Sequence, residues 1–264
     1  MHSLLTFTIK HLFMKLAVIA DIHSNLPALE AVLEAIGKDG GADGYLCAGD
    51  LVGYYPFANE TIERLGKLKN LCIVKGNHDH AAATGDLSFM SGDAEAAIEW
   101  TQKKLSEDNK KFISSLPLKY ESTNNGRKIS MFHGSPTGPL NEYVESDMPP
   151  DMMESMLFEN QILILGHTHI PMIKTFYTHN EKKEKKRIPI AVQLAKMQTR
   201  YIFNAGSVGQ PRDGNPNASF GIINFGSRIT FKVLRTEYDI DTVAAATRKA
   251  GLPETLAKRL YLGK

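Results

Sequence analysis

The sequence predicts an α/β fold with two β-sheets, and three features of the chain lead to this prediction. Short apolar strands alternate with amphipathic helices through the first part of the sequence. A largely helical stretch follows, and further apolar strand segments dominate the second half. Alternating strands and helices pair in parallel with right-handed crossovers, whereas a run of strands builds a further sheet. We therefore expect residues 14–264 to form a single layered α/β domain.

The first part of the chain has the rhythm βαβαβ. Residues 15–20 form a continuous apolar run, as in strands that are covered on both faces, and the apolar runs at 44–49 and 70–76 are similar. A helix with Asn25 as its N-cap follows the first strand, and a second helix lies in NETIERLGKL. This order predicts three parallel neighbouring strands.

The remainder of the chain has a helical excursion, a β-rich part and a helical tail. The excursion covers about 82–117, with a break near Ser106. Strands are predicted near 172–178 and 189–194, and at the apolar segments KISMFHG, QILILGH, RYIFNAG, FGIINF and ITFKVLR. The Lys/Glu-rich segment THNEKKEKKRIP is interpreted as a solvated hairpin tip. The tail over about 239–262 predicts two short helices.

Composition and charge argue against several classes of function. The 31 basic and 29 acidic residues give a net charge of +2, without the basic stripe that nucleic-acid binding requires. No apolar run reaches the ~18 residues of a membrane span. Cys47 and Cys72 lie in separate apolar runs, which is typical of buried thiols in a reducing cytoplasm. Residues 1–13 lack the features of a signal peptide and are interpreted as an N-terminal extension outside the fold.

Five short polar motifs each follow an apolar strand. They are ADIHSN, GDLVGYY, GNHDHA, FHGSP and GHTHIP. In open α/β sheets, ligands bind at the carboxyl ends of the strands. We therefore expect their polar side chains to converge on one patch formed by Asp21, His23, Asp50, Asn77, His78, His133, His167 and His169.

The chemistry of these side chains indicates a metal site. Carboxylate, amide and imidazole ligands suit Mn, Fe, Zn, Ni or Co, and the lack of thiolates argues against a structural zinc site. The pairs Asp21-x-His23 and His167-x-His169 lie just past the ends of apolar strands, so we expect both segments to be loops that turn both side chains inward. Any one motif alone is better explained as a cap or surface group, but five motifs on matching strand ends favour a metal site.

This series of motifs resembles the calcineurin-like metallophosphoesterases, whose pattern is D-x-H, G-D, G-N-H-D/E, a lone H and G-H-x-H. The resemblance covers roughly residues 14–235, and the stretches HGSP and GSVGQPRDG are similar to the compact bacterial and archaeal, phosphodiesterase-type branch. It implies a four-layer α/β/β/α sandwich of two mixed β-sheets flanked by helices. It also implies two divalent metal ions at the sheet edge, with Mn favoured.

The resemblance further implies roles for individual residues. The first ion would be held by Asp21, His23, Asp50 and His169. The second ion would be held by Asp50, Asn77, His133 and His167. His78 would protonate the leaving group, Asp79 would orient His78, and Gly76 would allow a tight turn. Arg212 would either contact a phosphate oxygen or form a salt bridge within its loop.

The implied activity is hydrolysis of a phosphomonoester or phosphodiester, with attack by a hydroxide that bridges the two metals. The substrate would be a small phosphate ester or a phosphoprotein. The alternative is a non-catalytic metal-binding scaffold of the same fold that acts in a protein complex; scaffold relatives lose the leaving-group histidine, which is present here as His78. The sequence leaves open the ester preference, the physiological metal and the oligomeric state.

Overall fold

The computed structural model describes four ranges of the chain, residues 14–124, 126–179, 197–226 and 229–264. The expected extension over residues 1–13, the strand expected near 189–194 and nearly all of the Lys/Glu-rich segment lie outside these ranges. Among the helices that are described, none combines the length and the apolar character needed to cross a membrane.

The strands of the described ranges are, in chain order, β1 (Met14–Ile19), β2 (Gly44–Cys47), β3 (Leu71–Ile73), β4 (Lys119–Asn124), β5 (Arg127–Phe132), β6 (Ile162–Leu165), β7 (Met172–His179), β8 (Met197–Asn204), β9 (Ala218–Phe225) and β10 (Thr230–Thr236). The helices are α1 (Leu26–Lys38), α2 (Ala58–Leu65), α3 (Asn77–Thr84), α4 (Asp93–Lys104), α5 (Glu107–Ser115), α6 (Pro150–Met156), α7 (Ile240–Lys249) and α8 (Glu254–Leu262).

The strands form two mixed sheets of five strands each. The first has the order β10-β9-β1-β2-β3, with β1, β2 and β3 parallel as predicted and with β9 antiparallel to β1. The second has the order β4-β5-β6-β8-β7, with β5, β6 and β8 parallel and both edge strands antiparallel to their neighbours. The predicted α/β class with two mixed sheets is confirmed.

Strand β1 shows how the layers are built. Leu16 and Val18 join the apolar cluster between the two sheets, whereas Ala17 and Ile19 join the cluster beneath α1. This alternation follows from the two-residue period of a strand, and it makes β1 apolar on both faces. On the far side, α6 packs through Met153 and its neighbours against the outer face of the second sheet. The result is the expected four-layer order of helices, sheet, sheet and helices.

Three elements were not predicted from the sequence. Helix α3 begins inside the GNHDHA motif at Asn77, where no element was predicted. Strand β4 is an edge strand with alternating exposed residues and few apolar ones, so its sequence lacks a clear strand signal. Helix α6 is only 7 residues long, too short to show a helical period. Of the two free thiols, Cys47 is buried as expected, but Cys72 is only half-buried.

Candidate metal centre

The five motifs meet at the edge where the parallel strands of both sheets end. The loops after β1 and β2 are joined by a hydrogen bond from the Ile22 N–H to the Asp50 carbonyl, at 2.8 Å. The two sheets are joined at this edge by the His167 N–H, which donates to Oδ1 of Asp21 at 3.1 Å. The convergence predicted from the strand ends is therefore present, and it joins residues that lie 146 positions apart.

The backbone of these loops is left-handed at five of the expected ligands. The φ values are 53° at Asp21, 51° at His23, 54° at Asp50, 66° at His167 and 60° at His169. Non-glycine residues rarely adopt this region, and each instance costs on the order of 1–3 kcal/mol. Asp21, His23, His167 and His169 thus lie in loops just past their strands, as expected. Such strain is concentrated at functional sites, where the surrounding structure holds it in place.

Two glycines allow the loops to approach each other closely. A Cβ on Gly49 would lie 2.8 Å from both the Gly76 nitrogen and Nδ1 of His133. A Cβ on Gly76 would collide with Oδ1 of Asp50. Gly76 has an extended backbone, with φ −92° and ψ 172°, which any residue can adopt. The expected tight turn at Gly76 is therefore wrong: this position requires glycine because the Asp50 carboxylate lies against it.

Four of the buried residues form a first group of possible metal ligands, Asp21, His23, Asp50 and His169. Nε2 of His23 lies 3.0 Å from Nε2 of His169 and 3.5 Å from Oδ2 of Asp50. Nε2 of His169 lies 3.5 Å from Oδ1 of Asp21. Each residue offers one ligand atom, and these atoms all lie within 4.8 Å of one another. The group has the size and composition of a site for one cation.

A second group consists of Asp50, His133 and His167, so Asp50 belongs to both. Nε2 of His133 lies 3.3 Å from Oδ2 of Asp50 and 2.9 Å from Oδ1 of Asn77. Nε2 of His167 is buried and has no hydrogen-bond partner. Asn77 thus adds a neutral oxygen beside the two imidazoles and the shared carboxylate. The two groups and Asn77 together contain all seven residues that the sequence suggested as ligands.

The hydrogen bonds of the histidine rings show which nitrogen is free to bind a metal. Three rings direct Nδ1 at a backbone carbonyl, His23 at Val52 (3.2 Å), His133 at Ala48 (2.8 Å) and His169 at Gln210 (2.6 Å). A carbonyl only accepts hydrogen bonds, so each Nδ1 carries the proton and each Nε2 presents a lone pair in the neutral ring. Such outer hydrogen bonds are typical of metal-binding histidines.

Several buried hydrogen-bond acceptors of the two groups have no hydrogen-bond donor among the residues that the structure describes. The neutral rings of His23 and His169 direct two lone pairs at each other across 3.0 Å. Oδ2 of Asp21 and Nε2 of His167 are buried without a partner. Buried acceptors without a donor are costly, and a cation in each of the two groups would satisfy all four atoms. The residues present therefore fit divalent metal ions.

The pKa values of the histidines separate them into two kinds. Burial lowers the pKa of His23 and His169 well below the usual value, with help from His78 in the first case and Arg212 in the second. Burial, together with His133, lowers the pKa of His167 to about 3. Burial also opposes the charged form of His133, but the Asp50 carboxylate outweighs it and raises the pKa of His133 to about 9. Without metal, the His133 ring is therefore doubly protonated and positively charged at neutral pH, whereas the rings of the other three histidines are neutral.

The two carboxylates differ in the same way. Burial raises the pKa of Asp21 above its usual value. Burial acts in that direction on Asp50 too, but His133 and His78 outweigh it and hold the pKa of Asp50 well below its usual value. Asp50 is thus the permanent negative charge between the two groups.

His78 lies beside the first group. Its ring centroid is 4.6 Å from those of His23 and Tyr54, and a Cβ on Gly53 would lie 2.6 Å from its Nδ1. The His78 N–H donates to Oδ1 of Asp50 at 2.9 Å, which fixes the backbone. Burial lowers the pKa of His78 to about 4, against the opposing influence of Asp50. Tyr54 was not selected from the sequence, although it stands within the GDLVGYY motif.

Asp79 is placed differently from the expectation. Its Oδ1 accepts hydrogen bonds from the N–H groups of Leu51 (2.8 Å) and Val52 (3.2 Å), and its Oδ2 accepts from the Gly76 N–H at 3.0 Å. Nδ1 of His78 is buried without a partner. The Asp79 carboxylate therefore holds the loops that carry Asp50 and His78 and does not orient the His78 ring through a hydrogen bond.

Arg212 lies at the edge of the first group. Its Nη2 donates to the Tyr54 hydroxyl at 3.0 Å and to Oε1 of Gln210 at 3.1 Å. Its positive charge contributes to lowering the pKa of His23 and His169. No carboxylate in the described part of the chain forms a salt bridge with Arg212, so of the two expected roles the salt-bridged one is not seen.

Comparison with known proteins identifies the family. The family model for the calcineurin-like phosphoesterase superfamily domain matches residues 14–228. The chain belongs to this superfamily. The chain is 36% identical over 251 residues to an uncharacterized protein of Methanocaldococcus jannaschii, covering 94% of this chain and 98% of the relative. It is 28% identical over 220 residues to phosphodiesterase YfcE of Escherichia coli, covering 80% of this chain and 88% of the relative.

Solved structures agree with this assignment. A metallophosphoesterase from Sphaerobacter thermophilus matches with a TM-score of 0.71 and 33% identity, covering 96% of the present chain and 100% of that chain. A hypothetical protein from Pyrococcus horikoshii matches with a TM-score of 0.77 and 23% identity, covering 95% and 98%. The predicted superfamily is therefore confirmed, and the two donor groups lie within the matched region.

Proposed function

We propose that this chain hydrolyses phosphate esters with two divalent metal ions bound at the shared edge of its sheets. The observation that supports the proposal most strongly is that two groups of buried ligand atoms share one carboxylate, Asp50. A shared carboxylate is how a protein holds two cations close enough to act on one phosphate. The relative named as a phosphodiesterase, at 28% identity, supports the same class of reaction.

The ligand assignment follows the two groups. Asp21, His23, Asp50 and His169 would hold one ion, and Asp50, Asn77, His133 and His167 would hold the other. When bound, the ions supply positive charge for the phosphoryl oxygens and lower the pKa of an attacking water. The mixture of oxygen and imidazole ligands suits Mn, Fe, Zn, Ni or Co, and we favour Mn.

We assign proton donation to the leaving group to His78. Its low pKa keeps the ring neutral at pH 7 in the ligand-free protein. A bound phosphate beside the ring would raise that pKa, because a nearby anion favours the charged imidazolium. The proton would then be available only when substrate is present, next to the oxygen that departs. General acid catalysis of this kind contributes about 10²–10⁴ in rate.

Arg212 and Asp79 have supporting roles in this proposal. The hydrogen bonds to Tyr54 and Gln210 use Nε and Nη2 of Arg212, so Nη1 remains available for a phosphate oxygen. A guanidinium is well suited to such a contact. Asp79 is a positioning residue, because its carboxylate holds the loops of Asp50 and His78 without reaching the ring.

The substrate is proposed to be a small phosphate ester. Phosphoproteins remain a second class of substrate, and we place the reaction in the cytoplasm. The alternative of a non-catalytic metal-binding scaffold predicts the same bound ions without turnover. A hydrolysis assay therefore distinguishes the enzyme from the scaffold. A scaffold does not require a proton donor such as His78.

The experiment is hydrolysis of p-nitrophenyl phosphate and bis(p-nitrophenyl) phosphate by protein stripped with EDTA. We expect no activity until Mn²⁺ or another divalent ion is added. Arg212→Met should raise KM more than it lowers kcat, whereas His80→Ala, on the half-exposed side of α3, serves as a control. Full activity in the presence of excess EDTA would contradict the proposal, and metal binding without any hydrolysis would favour the scaffold.

A further inference from the structure

Two tyrosines contact the histidines of the metal centre, and only one of them has a ring that is open to a ligand. Tyr54 is 6% exposed, and its ring contacts the rings of His23 and His78, with the Arg212 guanidinium 5.8 Å from its centroid. Tyr143 contacts His167 of the second group and is 48% exposed. Tyr54 is thus a buried residue of the metal centre, whereas Tyr143 lies beside the centre and is partly exposed to solvent.

The Tyr143 ring is stacked on the His167 ring. Their centroids are 3.9 Å apart and their planes differ by 27°. One face of the tyrosine is therefore covered by a residue whose Nε2 belongs to the second donor group. The exposed surface of Tyr143 therefore lies on the opposite face and the edges of its ring, next to His167 of the second group.

The loop that carries Tyr143 is held firmly. The Gly134 N–H donates to the Pro139 carbonyl at 2.8 Å, and the Thr137 hydroxyl donates to Oε2 of Glu142 at 2.6 Å. The hydroxyl of Ser135 also donates to that Glu142 carboxylate. A ring fixed by its own loop and by a stacked neighbour loses little conformational entropy when a second ring packs on it.

We propose that the open face of Tyr143 is a subsite for a flat aromatic group on the substrate, so that phosphodiesters with an aryl or nucleoside substituent are preferred over alkyl ones. Aromatic stacking on a protein ring contributes enough to set such a preference and tolerates different bases, because each has a π-face. The inference rests on the proposed function, since it concerns the substrate of the same site.

The test uses three diesters with the same charge and the same p-nitrophenolate leaving group. Their second substituent is thymidine, phenyl or methyl, so the nucleobase and the simple aryl group are examined separately. Tyr143→Ala removes the ring and Tyr143→Phe retains it. The matched control is Tyr177→Ala, since Tyr177 is also an exposed tyrosine, at 63%, but lies on β7. Metal content is measured for every variant.

We expect Tyr143→Ala to lower kcat/KM for at least one aromatic diester on the order of 10-fold more than for the methyl diester. Tyr143→Phe and the Tyr177 control should keep the wild-type ratios. Equal losses on all three diesters with reduced metal content would show that Tyr143 only supports His167, and unchanged ratios would equally overturn the inference.

A binding measurement separates this inference from the proposed function. If the wild-type protein hydrolyses none of the diesters with any divalent metal, the proposed function has failed. Titration calorimetry of the metal-loaded protein with phenyl phosphate and methyl phosphate then tests whether Tyr143 binds an aromatic group. The subsite predicts tighter binding of phenyl phosphate and loss of that difference in Tyr143→Ala. Equal affinities in the wild-type protein would contradict it.

Discussion

Nε2 of His23 and Nε2 of His169 lie 3.0 Å apart, and each ring uses its Nδ1–H for a backbone carbonyl. Two lone pairs at this distance repel unless a proton or a cation lies between them. Burial lowers the pKa of both rings well below the usual value, so a proton does not serve this purpose at neutral pH. The pair is therefore arranged for a metal ion.

Removing metal should destabilise the protein. Because the cations bind only the folded arrangement, Mn²⁺ at 100 times its Kd adds about 2.7 kcal/mol to the free energy of unfolding. For a chain of this size that corresponds to a rise in Tm of about 5–10 °C over EDTA-treated protein. His169→Ala should reduce the rise in a thermal-shift assay, whereas His80→Ala should retain it. An unchanged rise in His169→Ala would show that the ion binds elsewhere.

Metal binding should release protons. His133, with a pKa of about 9 in the metal-free protein, carries a proton at pH 7 that a bound ion must displace. The raised pKa of Asp21 adds a further fraction of a proton, whereas the low pKa values of His23 and His169 leave them none to lose. Metal affinity should therefore rise with pH and level off above about pH 9.

Calorimetry measures this release directly. Titrations at pH 7 in buffers of different ionisation enthalpy should give different apparent heats, because the buffer takes up about one proton or more from the centre. Equal heats in all buffers would mean that no proton leaves, which would contradict the charged state assigned to His133.

The assignment of His78 as proton donor predicts an effect that depends on the leaving group. His78→Ala should lower kcat for phenyl phosphate by about 10²–10⁴, because phenolate departs poorly without a proton. The loss for p-nitrophenyl phosphate should be much smaller, and metal content should remain near normal because His78 is not among the proposed ligands. A similar loss on both esters would argue against the role.

Asp79→Asn distinguishes positioning of the loops from orientation of His78. The carboxylate accepts three backbone hydrogen bonds, and an amide with one acceptor oxygen loses at least one of them. We expect a loss of about 1–3 kcal/mol in the free energy of unfolding and weaker metal binding. Asp151→Asn, an exposed carboxylate on α6, is the control. A selective loss on poor leaving groups with normal stability would instead indicate that Asp79 acts on His78.

Much of the fold and the centre follows from local sequence. Apolar runs such as Ile162–Leu165 are buried strands, and Asp50 or His167 just beyond such a run must lie at the sheet edge. These predictions need only periodicity and the rule for strand ends.

Contacts between distant loops could not be predicted in this way. The stacking of Tyr143 on His167 joins positions 24 apart in sequence, and the segment around Tyr143 has no pattern that marks it. The three backbone partners of Asp79 are likewise known only from the structure. In the sequence, a carboxylate next to His78 is equally consistent with a residue that orients the His78 ring. The close approach of Gly76 to Asp50 depends on the packing of two loops.

The central claim, that Asp50 is shared by two metal ions, is tested most directly by elemental analysis of Asp50→Asn beside the wild-type protein. Asparagine keeps the shape but removes the charge that lies between both donor groups. The account predicts two divalent ions per wild-type chain and loss of both from the variant, with Asp151→Asn retaining two. Two ions still bound to a correctly folded Asp50→Asn protein would contradict it.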